Sequence, residues 1–89
     1  MRAIITVAGK DRVGIIAQVC TTLAAYQVNV LDISQTVMQE YFTMIMLVDT
    51  AKSETSFSDL ANTLKADGEA KGLSIRIQRE DIFEAMHRI

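Results

Sequence analysis

The sequence predicts an α+β domain of the ferredoxin-like type, with the order βαββαβ, a four-stranded antiparallel sheet and two helices on one face. Runs of alternating apolar residues and runs with apolar residues at three- and four-residue spacing follow one another in that order. Only two residues, Gln39 and Glu40, join the second and third strand-like runs, which favours an antiparallel hairpin. The chain has 89 residues, enough for a single domain spanning 1–89.

The first half of the chain predicts one strand, one helix and then two more strands. Segment 2–8 is short and rich in β-branched residues, which is typical of a strand. Segment 13–26 predicts a helix, because its apolar residues recur at three- and four-residue steps. Segments 28–38 and 41–50 predict the two strands of the hairpin.

The second half predicts a helix and a strand. The helix spans 57–71, with Thr55 or Ser56 as its N-cap and Gly72 as the left-handed residue that ends it. Segment 73–79 alternates between apolar and polar residues and predicts the fourth strand.

The last ten residues, 80–89, predict a short C-terminal helical extension. Asp81 is its expected cap, and apolar residues recur along one side of it.

The third predicted strand is apolar on both faces. Its residues are Phe42, Met44, Met46 and Val48 on one face, and Tyr41, Ile45 and Leu47 on the other. The helices cover one face, so the other needs a different cover. The C-terminal extension and a second subunit are the two candidates. Domains of this size often gain stability by pairing, so we expect a homodimer.

Composition excludes several functions. The formal net charge is −2 and the basic residues are scattered, which argues against nucleic-acid binding. No apolar stretch has the length of a membrane span, so no membrane association is expected. The single cysteine is compatible with a reducing compartment, and the cytoplasm is the expected location.

The stretch "AGKDRVGII", 8–16, is the most unusual feature of the sequence. It lacks the spacing of a phosphate-binding loop. Asp11 and Arg12 are adjacent, so their side chains diverge and do not form a catalytic pair. Asp11 is a suitable N-cap, and the glycines permit a tight strand-to-helix turn. A third interpretation includes that cap: the free amides of a helix start, approachable at Gly14, could bind a carboxylate.

No other residues form a convincing site. Cys20 falls on the apolar stripe of the first helix and is expected to be buried and inert. Glu84 and His87 could offer two metal ligands, but two ligands do not make a metal site. The sequence therefore predicts no catalytic residue, no metal and no cofactor.

The segments "GKDRVGIIA" and "YQVNVLDISQ" together resemble the ACT-domain family of small regulatory modules. That family carries a D-x-x-G loop after the first strand and an N-[IV] pair at the start of the second. Asp11 and Gly14 match the loop, and Asn29 and Val30 match the pair. The segments "LDISQTV", "YFTMIMLVD" and "EDIFEAMHRI" also resemble small bacterial proteins that consist of one ACT domain and are related to the glycine cleavage system regulator.

The resemblance implies a non-catalytic homodimer that binds an amino acid or similar effector near its interface. No attached enzyme domain is recognised in the sequence, so the module is expected to regulate an unknown protein in trans. It implies side-chain contacts from Asp11 and Asn29, and carboxylate contacts from the backbone. The full implied site is Asp11, Arg12, Val13, Gly14, Ile15, Asn29 and Val30. A valine stands where the family often has a proline, so the loop is less rigid. Two alternatives stay open: an interaction module of the same fold without a ligand, and an enzyme.

Overall fold

The computed structural model describes residues 1–10 and 13–82. Its secondary structure follows the predicted order βαββαβ. The elements are β1 (Arg2–Lys10), α1 (Ile15–Ala25), β2 (Asn29–Met38), β3 (Tyr41–Asp49), α2 (Phe57–Ala70) and β4 (Leu73–Arg79). The strands form one antiparallel sheet in the order β2-β3-β1-β4, so β2 and β4 are its two edges. The ferredoxin-like prediction is confirmed.

The core lies between the two helices and one face of the sheet. Strands β1 and β3 alternate buried and more exposed residues, as expected for strands covered on a single face. Each helix contributes one apolar stripe, from Ile15 to Leu23 on α1 and from Leu60 to Leu64 on α2. The core residues are Ala3, Ile5, Val7, Ile15, Val19, Leu23, Val28, Phe42, Met44, Met46, Val48, Leu60, Leu64, Leu73 and Ile75.

Helix α2 packs tightly on β4 because Gly68 has no side chain. A Cβ atom at that position would lie 2.8 Å from both the Leu73 carbonyl oxygen and a side-chain carbon of Ile75. Gly68 is itself buried in this contact. The glycine therefore sets the distance between the helix and the edge strand.

The predicted caps of α2 are confirmed. Ser56 is the N-cap, and its hydroxyl accepts a hydrogen bond from the Asp59 backbone N–H at 3.1 Å. Gly72 takes a φ of +73° just beyond the helix, which is the conformation that glycine favours there.

The β2–β3 hairpin turns through Gln39 and Glu40 as predicted. Gln39 adopts a φ of +56° although it is not a glycine. The register shifts by one residue between Val30 and Asp32, so β2 has a bulge near its start.

The C-terminal extension is described only in part. Residues 80–82 are helical, so the helix begins at Glu80 and not after the predicted cap, Asp81. The Asp81 carboxylate accepts a hydrogen bond from the Arg79 guanidinium at 2.8 Å and another from the Ile82 backbone N–H at 2.9 Å. The remaining predicted residues, 83–89, lie outside the described part of the chain.

The sheet face away from the helices, called the open face below, is partly apolar. Tyr41 and Ile45 of β3 are exposed on it, and Leu47 is half-buried. The prediction that β3 is apolar on both faces is thus confirmed. What covers the open face stays a prediction.

Candidate effector site

Gly14 begins α1 with its backbone alone. It is the N-cap, with a φ of +91° in the left-handed region, and no side chain caps the helix. Its carbonyl oxygen accepts the first helical hydrogen bond, from the Gln18 N–H at 2.9 Å. The prediction of Asp11 as the N-cap is therefore wrong, because the cap position falls three residues later. Asp11 and Arg12 themselves lie outside the described residues.

The next residues present backbone groups and not side chains. Val13 is fully exposed, whereas the Ile15 side chain is buried in the core. The N–H groups of the first helical turn have no partner within the helix, and the helix dipole adds partial positive charge there. A Cβ atom at Gly14 would meet nothing within 4 Å, so the space beside these amides is open.

These amides border a small cleft, which we call the Gly14 cleft. Residues 14–17 form one wall, and Gln35, Val37 and Phe42 from the hairpin form the other. Its volume is about 240 Å³. A carboxylate at the amides would leave an attached apolar group against Val37 and Phe42.

The sequence analysis did not predict these three hairpin residues as part of the site. The sequence pattern assigned them to strands but did not show that they lie beside the start of α1. The topology contains the signal, because α1 runs back along the sheet from the end of β1. The start of α1 and the last residues of β2 therefore lie at the same end of the sheet.

Asn29 lies at the opposite end of α1. It lines a second cleft with Ala24, Gln27, Val28, Asp49, Ala51 and Lys52, which we call the Asn29 cleft. This cleft has a volume of about 560 Å³. Val30 is half-buried and pairs with the buried Val48 on the helix-covered face.

The charges of the Asn29 cleft come from Asp49 and Lys52. The Asp49 carboxylate accepts a hydrogen bond from the Ala51 N–H at 2.9 Å and lies 3.3 Å from the N-terminal ammonium of Met1. The Ala51 hydrogen bond, followed by that ammonium, lowers the pKa of Asp49. Lys52 forms no ion pair with any described residue, so its charge is available to an anion.

One chain therefore does not bring the predicted site together. Helix α1 has 11 residues. At 1.5 Å per residue its length is about 16 Å, and Gly14 and Asn29 lie at its two ends. They line different clefts. A single small molecule cannot contact both residues of the same copy.

The described residues match neither the pattern of a metal site nor that of a membrane-spanning helix. No group of three or more potential metal-binding side chains occurs in residues 1–10 and 13–82. Within the same ranges, no helix has the length and apolarity to cross a membrane.

The chain is similar to a family model, to full-length relatives and to solved structures. A family model described as "ACT domain" matches residues 2–78. A UPF0237 protein from Clostridium acetobutylicum is 56% identical over 89 residues, covering the whole length of both chains. The structure of an ACT domain protein from Streptococcus pneumoniae superimposes with a TM-score of 0.83, at 46% identity and 98% coverage of each chain.

A more distant match concerns a regulator. A solved structure described as a glycine cleavage system transcriptional repressor has a TM-score of 0.75 and 25% identity. The match covers 86% of this chain and 44% of that protein.

Proposed function

The chain belongs to the ACT-domain family, and from this membership we propose that it is a non-catalytic, cytoplasmic regulatory module. In this proposal it binds an amino acid or a similar small effector and acts in trans on a partner protein. The observation that carries the proposal is the start of α1, where a backbone-only cap leaves amides open beside an apolar cleft.

The Gly14 cleft suits the carboxylate end of an effector. Backbone N–H groups at a helix start, together with the helix dipole, form a binding site for an anion. Gly14 holds the left-handed φ that this turn needs, and it places no side chain over the amides. Val37 and Phe42 would contact the rest of the ligand.

A second copy can complete the site with its Asn29. Strand β2 is an edge strand, and nearly all of its residues are exposed. If two β2 edges pair antiparallel about a two-fold axis, the start of one β2 lies beside the end of the other. Asn29 of the second copy then approaches the Gly14 cleft of the first, which joins the two halves that one chain separates.

A second candidate function is an interaction module without a small ligand. The exposed apolar residues of the hairpin favour it. Met38 is 69% exposed, and Val37 and Tyr41 are each more than half exposed. Exposed apolar side chains at the end of a hairpin are typical of a protein interface, whether or not an effector binds.

A thermal-shift screen of the twenty amino acids tests the proposal. A ligand that binds only the native state stabilises it by about 2.7 kcal/mol at a hundredfold excess over Kd, which is a clear rise in Tm. A screen without any response at millimolar concentration would favour the interaction module instead.

Ala17→Glu locates the binding site of any amino acid that responds. Ala17 is exposed in the first turn of α1 and lines the cleft. A carboxylate there suits the helix start, so folding is preserved, but it repels an anionic ligand. We expect the Tm shift caused by the ligand to disappear in Ala17→Glu and to persist in the neutral control Ala17→Gln. An unchanged shift in Ala17→Glu would place the site elsewhere.

A further inference from the structure

Strand β4 is the second free edge of the sheet. It pairs with β1 on one side, and no strand within the described residues pairs with its other side. The outward N–H and C=O groups of an edge strand can bond an added strand. Seven residues, Leu73–Arg79, form this edge.

A groove follows the β4 edge, between the strand and α2. It has a volume of about 580 Å³. Leu73 and Ile75 are buried at its floor, and Ile77 is half-buried there. An extended segment that lies along this edge would therefore form backbone hydrogen bonds with β4 and apolar contacts with the groove.

Two unpaired cations lie on opposite sides of this edge. Lys65 projects from α2 on the helix side, and Arg76 lies opposite Thr6 on the open face. Both are exposed, and neither forms an ion pair with a described residue. Their neighbours Lys71 and Arg79, by contrast, are each paired with an aspartate.

We propose that the β4 edge and its groove bind an extended acidic segment of the partner protein, which joins the sheet as a fifth strand. Successive side chains of such a strand point to opposite faces. An acidic residue on one face meets Lys65, and one on the other face meets Arg76. Backbone hydrogen bonds provide affinity, and the two charges select the sequence.

The same charges disfavour a second copy at this edge. A β4 strand of another copy would bring its own Arg76 and Arg79, and like charges across paired strands are unfavourable. Exposed cations on an edge commonly prevent such self-pairing. Among the described residues that line the groove, the acidic one is Glu69, which follows Lys65 by one helical turn towards the Leu73 end. The acidic residues of the partner are therefore expected near Ile75 and Ile77.

The inference rests on the proposed function only in that a module acting in trans needs a partner. The test uses the full chain, free of amino acids, and an end-blocked probe peptide, Thr-Val-Asp-Glu-Val-Val-Thr, whose adjacent acidic residues point to opposite faces of a strand. A twin peptide has lysine at both acidic positions. We expect the acidic probe to shift the backbone amide NMR signals of residues 73–79, and its Kd to be at least tenfold lower than that of the twin.

Charge variants decide whether Lys65 and Arg76 are responsible. The double variant Lys65→Glu/Arg76→Glu should weaken binding of the acidic probe at least tenfold. Lys52→Glu, which changes an exposed and unpaired lysine of the Asn29 cleft, should leave binding within twofold. Raising the salt concentration should weaken binding, because the charges are exposed.

Several results would overturn the inference. Equal binding of the two peptides would remove the charge argument, and shifts confined to β2 would place the added strand at the other edge. Simultaneous shifts of residues 83–89 would identify that segment as the occupant of the groove. Dissociation of a dimer by the double variant would assign the groove to a second copy. The amino-acid screen does not depend on these outcomes, so either proposal can fail alone.

Discussion

The two edges of the sheet differ in length, charge and cover. Strand β2 has ten residues, and all of them are exposed except the half-buried Val30. Helix α1 therefore covers little of this strand. Strand β4 has seven residues, and α2 packs closely on it through Gly68. The exposed residues of β2 include Leu31, Ile33 and Val37, whereas those of β4 include Arg76 and Arg79. An uncovered apolar edge suits a second copy, and a half-covered cationic edge suits a different, acidic chain.

The largest effect is expected at the β2 edge. Ile33 is 39% exposed and lies near the middle of β2. In an antiparallel pair of β2 strands, Ile33→Lys would place two ammonium groups close to the two-fold axis, which is unfavourable. We expect the dimer dissociation constant to rise at least tenfold, measured by sedimentation equilibrium.

Arg76→Glu is the matched control at the other edge. It should leave the dimer dissociation constant within threefold, because the dimer that we propose pairs through β2 and not through β4. A wild-type chain that sediments as a monomer at micromolar concentration would contradict the dimer prediction. A dimer disrupted by Arg76→Glu and not by Ile33→Lys would reverse the assignment of the two edges.

The sequence predicted the β4 half of the molecule better than the start of α1. Ser56, Gly72 and the alternation in β4 are local signals, and local chemistry decides those boundaries. At the start of α1, side-chain chemistry favoured Asp11 as the cap, and the glycines were expected only to permit the turn. The left-handed backbone angle that makes Gly14 the cap is visible only in the structure.

The residues of the predicted site lie at the two ends of α1 in one chain for a topological reason. The family resemblance identified the residues but did not indicate at which end of the sheet each one lies. Gly14 follows β1 and Asn29 begins β2, so the whole length of α1 separates them. The positive φ of Gly14 also removes the simplest test, because a valine there strains the backbone whether or not it blocks a ligand.

A smaller effect is expected where α2 meets β4. Gly68→Ala adds a Cβ atom 2.8 Å from the Leu73 carbonyl oxygen, so the helix must move away from the strand. The loss of packing should outweigh the better helix propensity of alanine and reduce the free energy of unfolding by about 2 kcal/mol. Urea denaturation of the wild type and the variant measures the difference.

The neighbouring exposed residue provides the control for Gly68→Ala. Glu69→Ala changes the same helix without entering the contact, and its effect should stay within about 0.5 kcal/mol. If Gly68→Ala were as stable as the wild type, α2 would not be fixed on β4. The groove beside that edge would then lack a defined width.

The smallest effect is expected at the end of β3, where the Asp49 carboxylate lies 3.3 Å from the N-terminal ammonium of Met1. Its pKa is lowered in the folded state below the usual value of 3.8, mainly by the Ala51 N–H. A carboxylate whose pKa is lowered by folding stabilises the folded state at pH values above its unfolded-state pKa. This contribution is lost as the pH falls through its folded-state pKa. Asp49→Asn should therefore lower Tm slightly at pH 7 and remove part of the fall in Tm below about pH 4.

Glu54→Gln, at an exposed carboxylate without an ion pair among the described residues, is the control. If Asp49→Asn and Glu54→Gln gave the same acid profile, the contact with the N-terminus would contribute nothing to the order of this end of the sheet.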